Sequence, residues 1–192
     1  MKKGLLIVAG VLFVFFVGIS WYISGLNRVV RYDEKINESW SEIENQLLRR
    51  NDLIPNLVNT VKGYTKHEEK VFTHVADARA KLAGLIKEGG SLNSKIGAAK
   101  ELQGALSRLL VIVENYPKLK ANENFLKLQD ELSGTENRIA VARTRYNRGV
   151  KVFNTYIREV FGGFFASRKG LNKARPYFEV APEKKAAPKV KF

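Results

Sequence analysis

The sequence predicts an all-α protein, in which an N-terminal transmembrane helix precedes a long antiparallel helical bundle and an extended basic C-terminal tail. Three observations support this fold class. Near the N-terminus, residues 4–27 form a run of 24 uncharged residues. Apolar residues then recur at helical spacing to about residue 160, and Gly and Pro interrupt that spacing at only a few positions. No stretch of useful length alternates apolar and polar residues as a strand would.

The opening run, residues 4–27, has the length and composition of a membrane anchor. At 1.5 Å per residue it would span ~36 Å, enough to cross a hydrocarbon core of ~30 Å. Trp21 and Tyr22 lie near its C-terminal end, and such rings favour the membrane interface. A cleaved signal peptide is the alternative, but the run is longer than a usual signal core and no clear small-residue cleavage site follows. We therefore predict a single-pass anchor behind a short tail of residues 1–3.

Basic residues flank the predicted anchor on both sides, so the orientation rule for positive charges gives no strong preference. Lys2 and Lys3 precede the anchor, and Arg28, Arg31 and Lys35 follow it. Two lysines on so short a tail resist translocation. We therefore favour, by a narrow margin, an extracytoplasmic soluble domain.

Residues 28–163 form the predicted bundle of three to four long helices. The first helix carries an a/d stripe with spacings of 7, 4, 3 and 4: Val29, Ile36, Trp40, Ile43 and Leu47. In "RRNDLIPNL", Pro55 lacks an amide proton and Asp52 is a candidate N-cap, which predicts a helix kink or a short break. The stripe then resumes from Leu57 to Leu85.

Two turn segments separate the remaining predicted helices: "KEGGSLNS" at 87–94 and "NYPKLK" at 115–120. The third helix covers about 92–113 and the fourth about 122–160. Gly162 and Gly163 are expected to end the fourth helix, and the basic tail follows as residues 164–192.

Composition and motifs argue against an enzyme. The chain has no cysteine, which excludes disulfides, thiol catalysis and cysteine-ligated metal centres. His67 and His74 are seven residues apart, whereas paired helical metal ligands are three or four apart. No phosphate-binding loop, nucleophile elbow or dinucleotide fingerprint is present. We predict no catalytic activity, no cofactor, no metal and no small-molecule substrate.

A net charge of +14 indicates either an anionic partner or a role of the charge in solubility alone. Nucleic acid is disfavoured, because aromatic residues are not interleaved with the basic tail and a membrane anchor argues against a genomic role. Membrane lipid is the partner that we expect.

The predicted helix lengths also indicate a homo-oligomer. The third helix is too short to cover both ends of the bundle, so part of the first stripe is expected to be bare and to pair with another copy. The candidate interface comprises Ile36, Trp40, Ile43, Leu47 and the polar residues Glu136, Arg138 and Arg143. The alternative is a monomer in which Tyr177 and Phe178 of the tail cover the stripe.

Several blocks of the sequence resemble the LemA family. They are "SWSEIENQLLRRNDLIPNLVNTVKGYTKHEEK" (39–70), "LLVIVENYPKLKANENFLKLQDELSGTENRIAVARTRYN" (109–147), "RPYFE" (175–179) and "APKVKF" (187–192). The resemblance covers essentially the whole chain beyond the anchor. It implies a protein of the bacterial cell (inner) membrane with one N-terminal helix, an all-α soluble domain and no established catalytic residues.

These observations lead us to expect a membrane-anchored scaffold or adaptor that assembles with itself. An accessory subunit of a membrane metalloprotease of the HtpX type is the alternative, because the resemblance implies such neighbours. A protein that binds anionic lipid or remodels membranes through its basic tail is the weaker alternative.

Overall fold

The computed structural model describes residues 2–65 and 68–179. Within these residues the all-α prediction is confirmed, with six helices and no strand. The helices are α1 (Lys2–Lys62), α2 (Glu69–Lys87), α3 (Leu92–Val113), α4 (Pro117–Lys120), α5 (Glu123–Tyr156) and α6 (Val160–Arg168). His67 and residues 180–192 of the predicted basic tail lie outside the described residues.

Helix α1 is a single helix of 61 residues that contains both the predicted anchor and the a/d stripe. It is the one helix in the described part of the chain that is long and apolar enough to cross a membrane. Side chains from Lys3 to Ser24 are exposed, and Gly25 is the first buried residue.

Of the two alternatives at Pro55, a kink or a short break, the break does not occur, because α1 continues through this proline to Lys62. Asp52 is an exposed residue inside the helix and not an N-cap. Pro55 cannot donate to the carbonyl of Asn51, four residues earlier. The Arg79 Nε of α2 donates to that carbonyl instead, at 3.1 Å. A bend of the helix axis at Pro55 stays a prediction.

The interruption between the first two helices lies later than the sequence analysis placed it. Helix α1 ends at Lys62 and α2 begins at Glu69, whereas a helix from about Asp52 to Leu85 was expected. Gly63 follows directly on the last helical residue, and its amide still donates to the Asn59 carbonyl at 3.3 Å.

The described residues divide into two compact units, and α1 and α5 each contribute to both. We call residues 2–39 and 146–175 the first unit. We call residues 40–65, 68–145 and 176–179 the second unit.

The first unit has an apolar core that includes Val29, Ile36, Tyr146, Val150, Phe153 and Phe165. A polar contact holds the end of its chain. Both Nε and Nη2 of Arg175 donate to the buried Asp33 carboxylate, at 3.0 and 2.6 Å. The Asn154 side chain accepts from the Arg175 amide at 2.8 Å and donates to its carbonyl at 2.9 Å. Arg175, which the sequence placed in an extended tail, is therefore a structural residue of the first unit.

The second unit packs α2, α3, α4 and parts of α1 and α5 around a core that includes Ile43, Leu47, Leu57, Leu82, Leu102, Leu109 and Phe125. Its turns follow local rules. Gly89 adopts a φ of 72°, the left-handed conformation that favours glycine. Ser91 caps α3 by accepting from the Ser94 amide at 3.2 Å, and Asn122 accepts from the Phe125 amide at 3.0 Å at the start of α5.

The end of the bundle differs from the prediction. Helix α5 ends at Tyr156, and α6 contains Gly162 and Gly163, which were expected to end a helix. A Cβ on Gly162 would overlap the carbonyl oxygen of Tyr156. Glycine at this position therefore lets α6 pack directly against the end of α5, so residues 164–168 are helical and not extended.

Candidate functional site

The apolar part of the predicted interface is buried within the chain itself. Ile36, Trp40, Ile43 and Leu47 are only 0–6% exposed. The expectation that these four side chains form a bare surface for another copy is therefore wrong. Helix lengths do not predict this burial, because a segment outside the long helices also covers the stripe. In the second unit the ring of Phe178 contacts that of Trp40, with centroids 6.1 Å apart.

The tail alternative is thus right about Phe178, which is buried and contacts the stripe at Trp40, whereas the monomeric state that it includes stays a prediction. Tyr177 is exposed and does not share this role. In the first unit Ile36 lies beside Gly149, where an added Cβ would be 3.4 Å from Ile36 Cγ1. The small residue on α5 allows this close packing.

The polar part of the predicted interface is largely engaged within the second unit. Glu136 forms an ion pair with Arg50, and the guanidinium of Arg143 lies 5.9 Å from the centre of the Phe178 ring. Arg138 is exposed. An intermolecular role stays a prediction for these residues, and Arg138 is the one whose position best suits it.

Arg50 is the central charged residue of the second unit, although the sequence analysis did not select it. Its side chain is buried, donating from Nη1 to Gln103 Oε1 at 2.7 Å and from Nη2 to Glu136 Oε2 at 2.5 Å. One guanidinium therefore joins α1, α3 and α5. Burying a cation is costly without such partners, and the planar fork of arginine suits two at once.

Two clefts flank the Arg50 network. The first has a volume of about 310 Å³ and is mainly apolar, with Leu57, Leu106, Leu110 and Leu132 in its wall. The second, which we call the basic cleft, has a volume of about 420 Å³. Its charged lining comprises Arg50, Lys100, Arg108, Arg143, Glu136 and Glu179. Four cations face two anions there, so the basic cleft suits contact with an anionic group.

Several side chains in residues 2–65 and 68–179 have shifted pKa values. Burial raises the pKa of Tyr146 to about 12, and the positive Arg175 opposes this in part. Burial also raises the pKa of Tyr156, with the positive Arg28 as the main opposing influence. A hydrogen bond from Lys81 lowers the pKa of the exposed Glu101. Each of these changes moves the group away from neutrality, whereas a general acid or base works best with a pKa near the working pH.

Across residues 2–65 and 68–179, no cluster of three or more His, Asp or Glu side chains is suitably placed for a metal ion. The two clefts contain no histidine, and their hydroxyl groups are serines without an adjacent imidazole. The arrangement can therefore bind and orient, but it provides no activated nucleophile of the usual serine–histidine kind.

The sequence profile of the LemA family matches residues 39–192. The chain belongs to the LemA family. The matched region includes Arg50, Arg79, Gln103 and Glu136, so the whole Arg50 network lies inside the family domain.

Named relatives of this LemA-family chain include magnetosome proteins. Magnetosome protein MamQ 2 of Paramagnetospirillum magneticum is 29% identical over 178 residues, which cover 81% of this chain and 65% of the relative. Magnetosome protein MamQ of Magnetospirillum gryphiswaldense is 28% identical with the same coverage of both chains. Protein LemA of Metamycoplasma hominis is 25% identical over 147 residues, covering 76% of this chain and 66% of the relative. The chain thus spans about two thirds of the length of these relatives.

Two features of this LemA-family structure were missed by sequence reasoning. Pro55 signals that the Asn51 carbonyl needs a replacement donor, but nothing in the sequence indicates that Arg79, 28 residues away, supplies it. The second missed feature is the buried Arg50. The sequence indicates it only weakly, because of the adjacent residues Arg49 and Arg50 only Arg50 falls on the apolar face of α1.

Proposed function

We propose that this protein is a non-enzymatic, membrane-anchored helical scaffold or adaptor. The observation that carries the proposal is the composition of α1. One uninterrupted helix begins as a wholly exposed apolar segment and continues as a core helix of the folded domain. An apolar surface of this size is not stable in water and is typical of contact with a membrane.

The proposed membrane is the bacterial cell (inner) membrane, crossed once by the N-terminal segment of α1. The names of two relatives describe them as magnetosome proteins, which is in keeping with a membrane setting. Lys2 and Lys3 on the short tail before the anchor resist translocation, which slightly favours an extracytoplasmic domain.

Membrane fractionation tests the anchor. The full-length protein should stay with the membrane after carbonate washing, because its apolar segment is held by the hydrocarbon core. Replacing Phe13 and Phe16 by Lys should release the protein, since each charge in the core is strongly unfavourable. Val111→Lys is the matched control, because Val111 is exposed on α3, in the second unit. Loss of the unsubstituted protein into the wash would refute the anchor.

The scaffold role is favoured over catalysis by the chemistry of the Arg50 region. Arg50 and Glu136 form an ion pair, Arg143 stacks on the Phe178 ring, and the clefts combine apolar walls with fixed charges. Such surfaces bind partners. Purification of the tagged full-length protein in mild detergent would identify them. A stoichiometric membrane metalloprotease would favour the accessory-subunit alternative.

Self-assembly is part of the proposal, but through the exposed surface around Arg138 and not through the buried stripe. This surface surrounds a depression of about 450 Å³ lined by Glu42, Asn45, Arg138, Val141 and Arg145, among others. Arg145 and Glu42 form an exposed ion pair of 3.1 Å. Arg138 and Arg145 lie beside Glu42 on this surface. In two copies related by a twofold axis, the arginines of one copy could therefore pair with Glu42 of the other. Anchoring in one plane also raises the local concentration.

Cysteine crosslinking tests this surface cleanly, since the chain has no cysteine of its own. Arg138→Cys in membranes should give a disulfide-linked dimer under mild oxidation. Lys118→Cys, at an exposed position of α4, is the control and should stay monomeric. Equal and low crosslinking at both positions would count against assembly through the Arg138 surface.

A further inference from the structure

Helix α6 presents apolar side chains on both of its sides. Phe165 and Ala166 are buried, and Gly162 packs against the carbonyl of Tyr156. On the other side Val160, Phe161 and Phe164 are 86%, 63% and 46% exposed. A helix that is apolar all round is normally buried on every side, in a protein core or in a membrane.

Helix α6 packs on the last exposed turns of the anchor through buried and exposed side chains alike. The Trp21 ring packs edge to face against Phe161 and Phe165, with centroids 5.3 and 5.2 Å apart. The Tyr22 ring lies 6.4 Å from Phe164 and 5.9 Å from Phe165. We call these five side chains the aromatic cluster.

Gly25 makes this packing possible. A Cβ on Gly25 would lie 2.6 Å from Phe165 Cδ2 and still closer to other atoms of the ring. The ring therefore sits directly on the α1 backbone, where burial of α1 begins.

The aromatic cluster fixes the depth of α6 relative to the anchor. The exposed run from Leu5 to Ile23 is about 28 Å long at 1.5 Å per residue, close to the ~30 Å of a hydrocarbon core. Trp21 and Tyr22 then lie near the membrane interface, which such residues prefer. The exposed face of α6 lies beside them, so Phe161 and Phe164 are near the same depth.

Cations surround the exposed apolar face of α6. Arg158 precedes the helix, Arg168 lies in its last turn, Lys169 follows it, and all three are exposed. The guanidinium of Arg168 lies 5.4 Å from the centre of the Phe164 ring. A ring at the acyl boundary with a cation on its polar side is the arrangement expected of a segment lying in the plane of an anionic membrane.

We propose that α6 is a second membrane-contacting element, which lies in the interface of the same bilayer that the anchor crosses. Val160, Phe161 and Phe164 enter the acyl boundary, and Arg158 and Arg168 contact lipid phosphates. The continuity of this face with the exposed anchor points to lipid and not to another protein as its occupant. The inference rests on the proposed anchor and adds a contact that the anchor alone does not supply.

Depth measurement by spin labelling tests the proposal on the full chain in vesicles of phosphatidylethanolamine and phosphatidylglycerol. Three single-cysteine variants carry the nitroxide: Phe13→Cys in the anchor, Phe161→Cys in α6 and Val111→Cys in α3. These positions are 70%, 63% and 68% exposed in the folded chain, so burial by protein does not distinguish them. Accessibility to oxygen, which concentrates in lipid, is compared with accessibility to a water-soluble nickel complex.

The ratio of oxygen to nickel collisions should be several-fold higher at position 161 than at position 111, and highest at position 13. A ratio at 161 equal to that at 111, with position 13 still deep, would overturn the role of α6 and leave the anchor intact. A low ratio at position 13 would instead overturn the anchor. Shielding of position 161 from both reagents would indicate burial against another protein copy and would also overturn the proposal. Unchanged far-UV circular dichroism confirms folding, since all three side chains are exposed.

Discussion

The two parts of α1 share one helical backbone and differ in what surrounds them. Up to Ser24 the side chains are exposed and apolar on every face. From Gly25 onward one face is buried and the others carry charges such as Arg28, Glu34 and Glu38. The helical conformation therefore does not distinguish the two parts. The distribution of polarity around the helix does, because an all-round apolar surface suits lipid and a one-sided stripe suits a protein core.

The largest expected effect comes from placing the same carboxylate in each part. Ile43→Asp should abolish stable folding, because burying an unpaired carboxylate there costs about 4 kcal/mol or more. Val14→Asp should leave the unfolding free energy of the domain in detergent unchanged but weaken membrane retention. Denaturant unfolding followed by circular dichroism measures both variants. Ile43→Val, with an expected loss of about 1 kcal/mol, shows whether the site is well packed. Equal stability of the two aspartate variants would contradict the claim that only the second part of α1 belongs to the protein core.

Adjacent arginines on the buried part of α1 provide a sharper contrast. Arg50→Ala should lower the unfolding free energy by about 2–3 kcal/mol, because it leaves Gln103 and Glu136 without their shared donor. The loss stays below that of a fully buried pair because the Glu136 side chain is 41% exposed. Arg49→Ala is the matched control, at an exposed position one residue away, and should change stability little. Similar losses at both positions would mean that total charge matters and the Arg50 network does not.

The burial of Tyr146 in the first unit predicts that the free energy of unfolding falls at alkaline pH. Because burial raises the Tyr146 pKa from 10 to about 12, the unfolded chain loses this proton at lower pH than the folded chain does. The contribution of the protonated Tyr146 hydroxyl to the free energy of unfolding is complete below pH 10 and is lost as pH rises to about 12. We expect a loss of about 1–2 kcal/mol across that interval, since solvent screens part of the full effect. Tyr146→Phe removes the titrating proton, so the unfolding free energy of this variant should fall less over the same interval.

The smallest effect concerns the carbonyl that Pro55 leaves without a helical donor. Arg79→Ala should destabilise the protein by about 1 kcal/mol, because the Asn51 carbonyl then loses its replacement partner. In a Pro55→Ala background an amide proton becomes available, so the same arginine substitution should cost less. The two single variants and the double variant form a cycle whose coupling energy reports this compensation. A coupling of zero would show that the Arg79 bond does not compensate for the proline.

Local patterns were sufficient for much of the fold. The third helix was predicted over about 92–113 and is observed at Leu92–Val113, because a serine cap precedes it and Pro117 follows it. The anchor-length helix and the absence of strands from residues 2–65 and 68–179 also follow the predictions, since hydrophobic periodicity is a short-range property.

The helical class, the apolar N-terminal segment and the family can all be read from the amino-acid sequence. Which surfaces remain free depends on how the helices and the tail pack together. The burial of Trp40 depends on Phe178, and the contact between Arg50 and Glu136 joins residues 86 positions apart. The packing of α6 against the end of α5 depends on the close approach of Gly162 to the Tyr156 carbonyl. Periodicity assigns each residue to a helix face, but the partner that covers a face depends on contacts between segments distant in sequence, which no local pattern specifies.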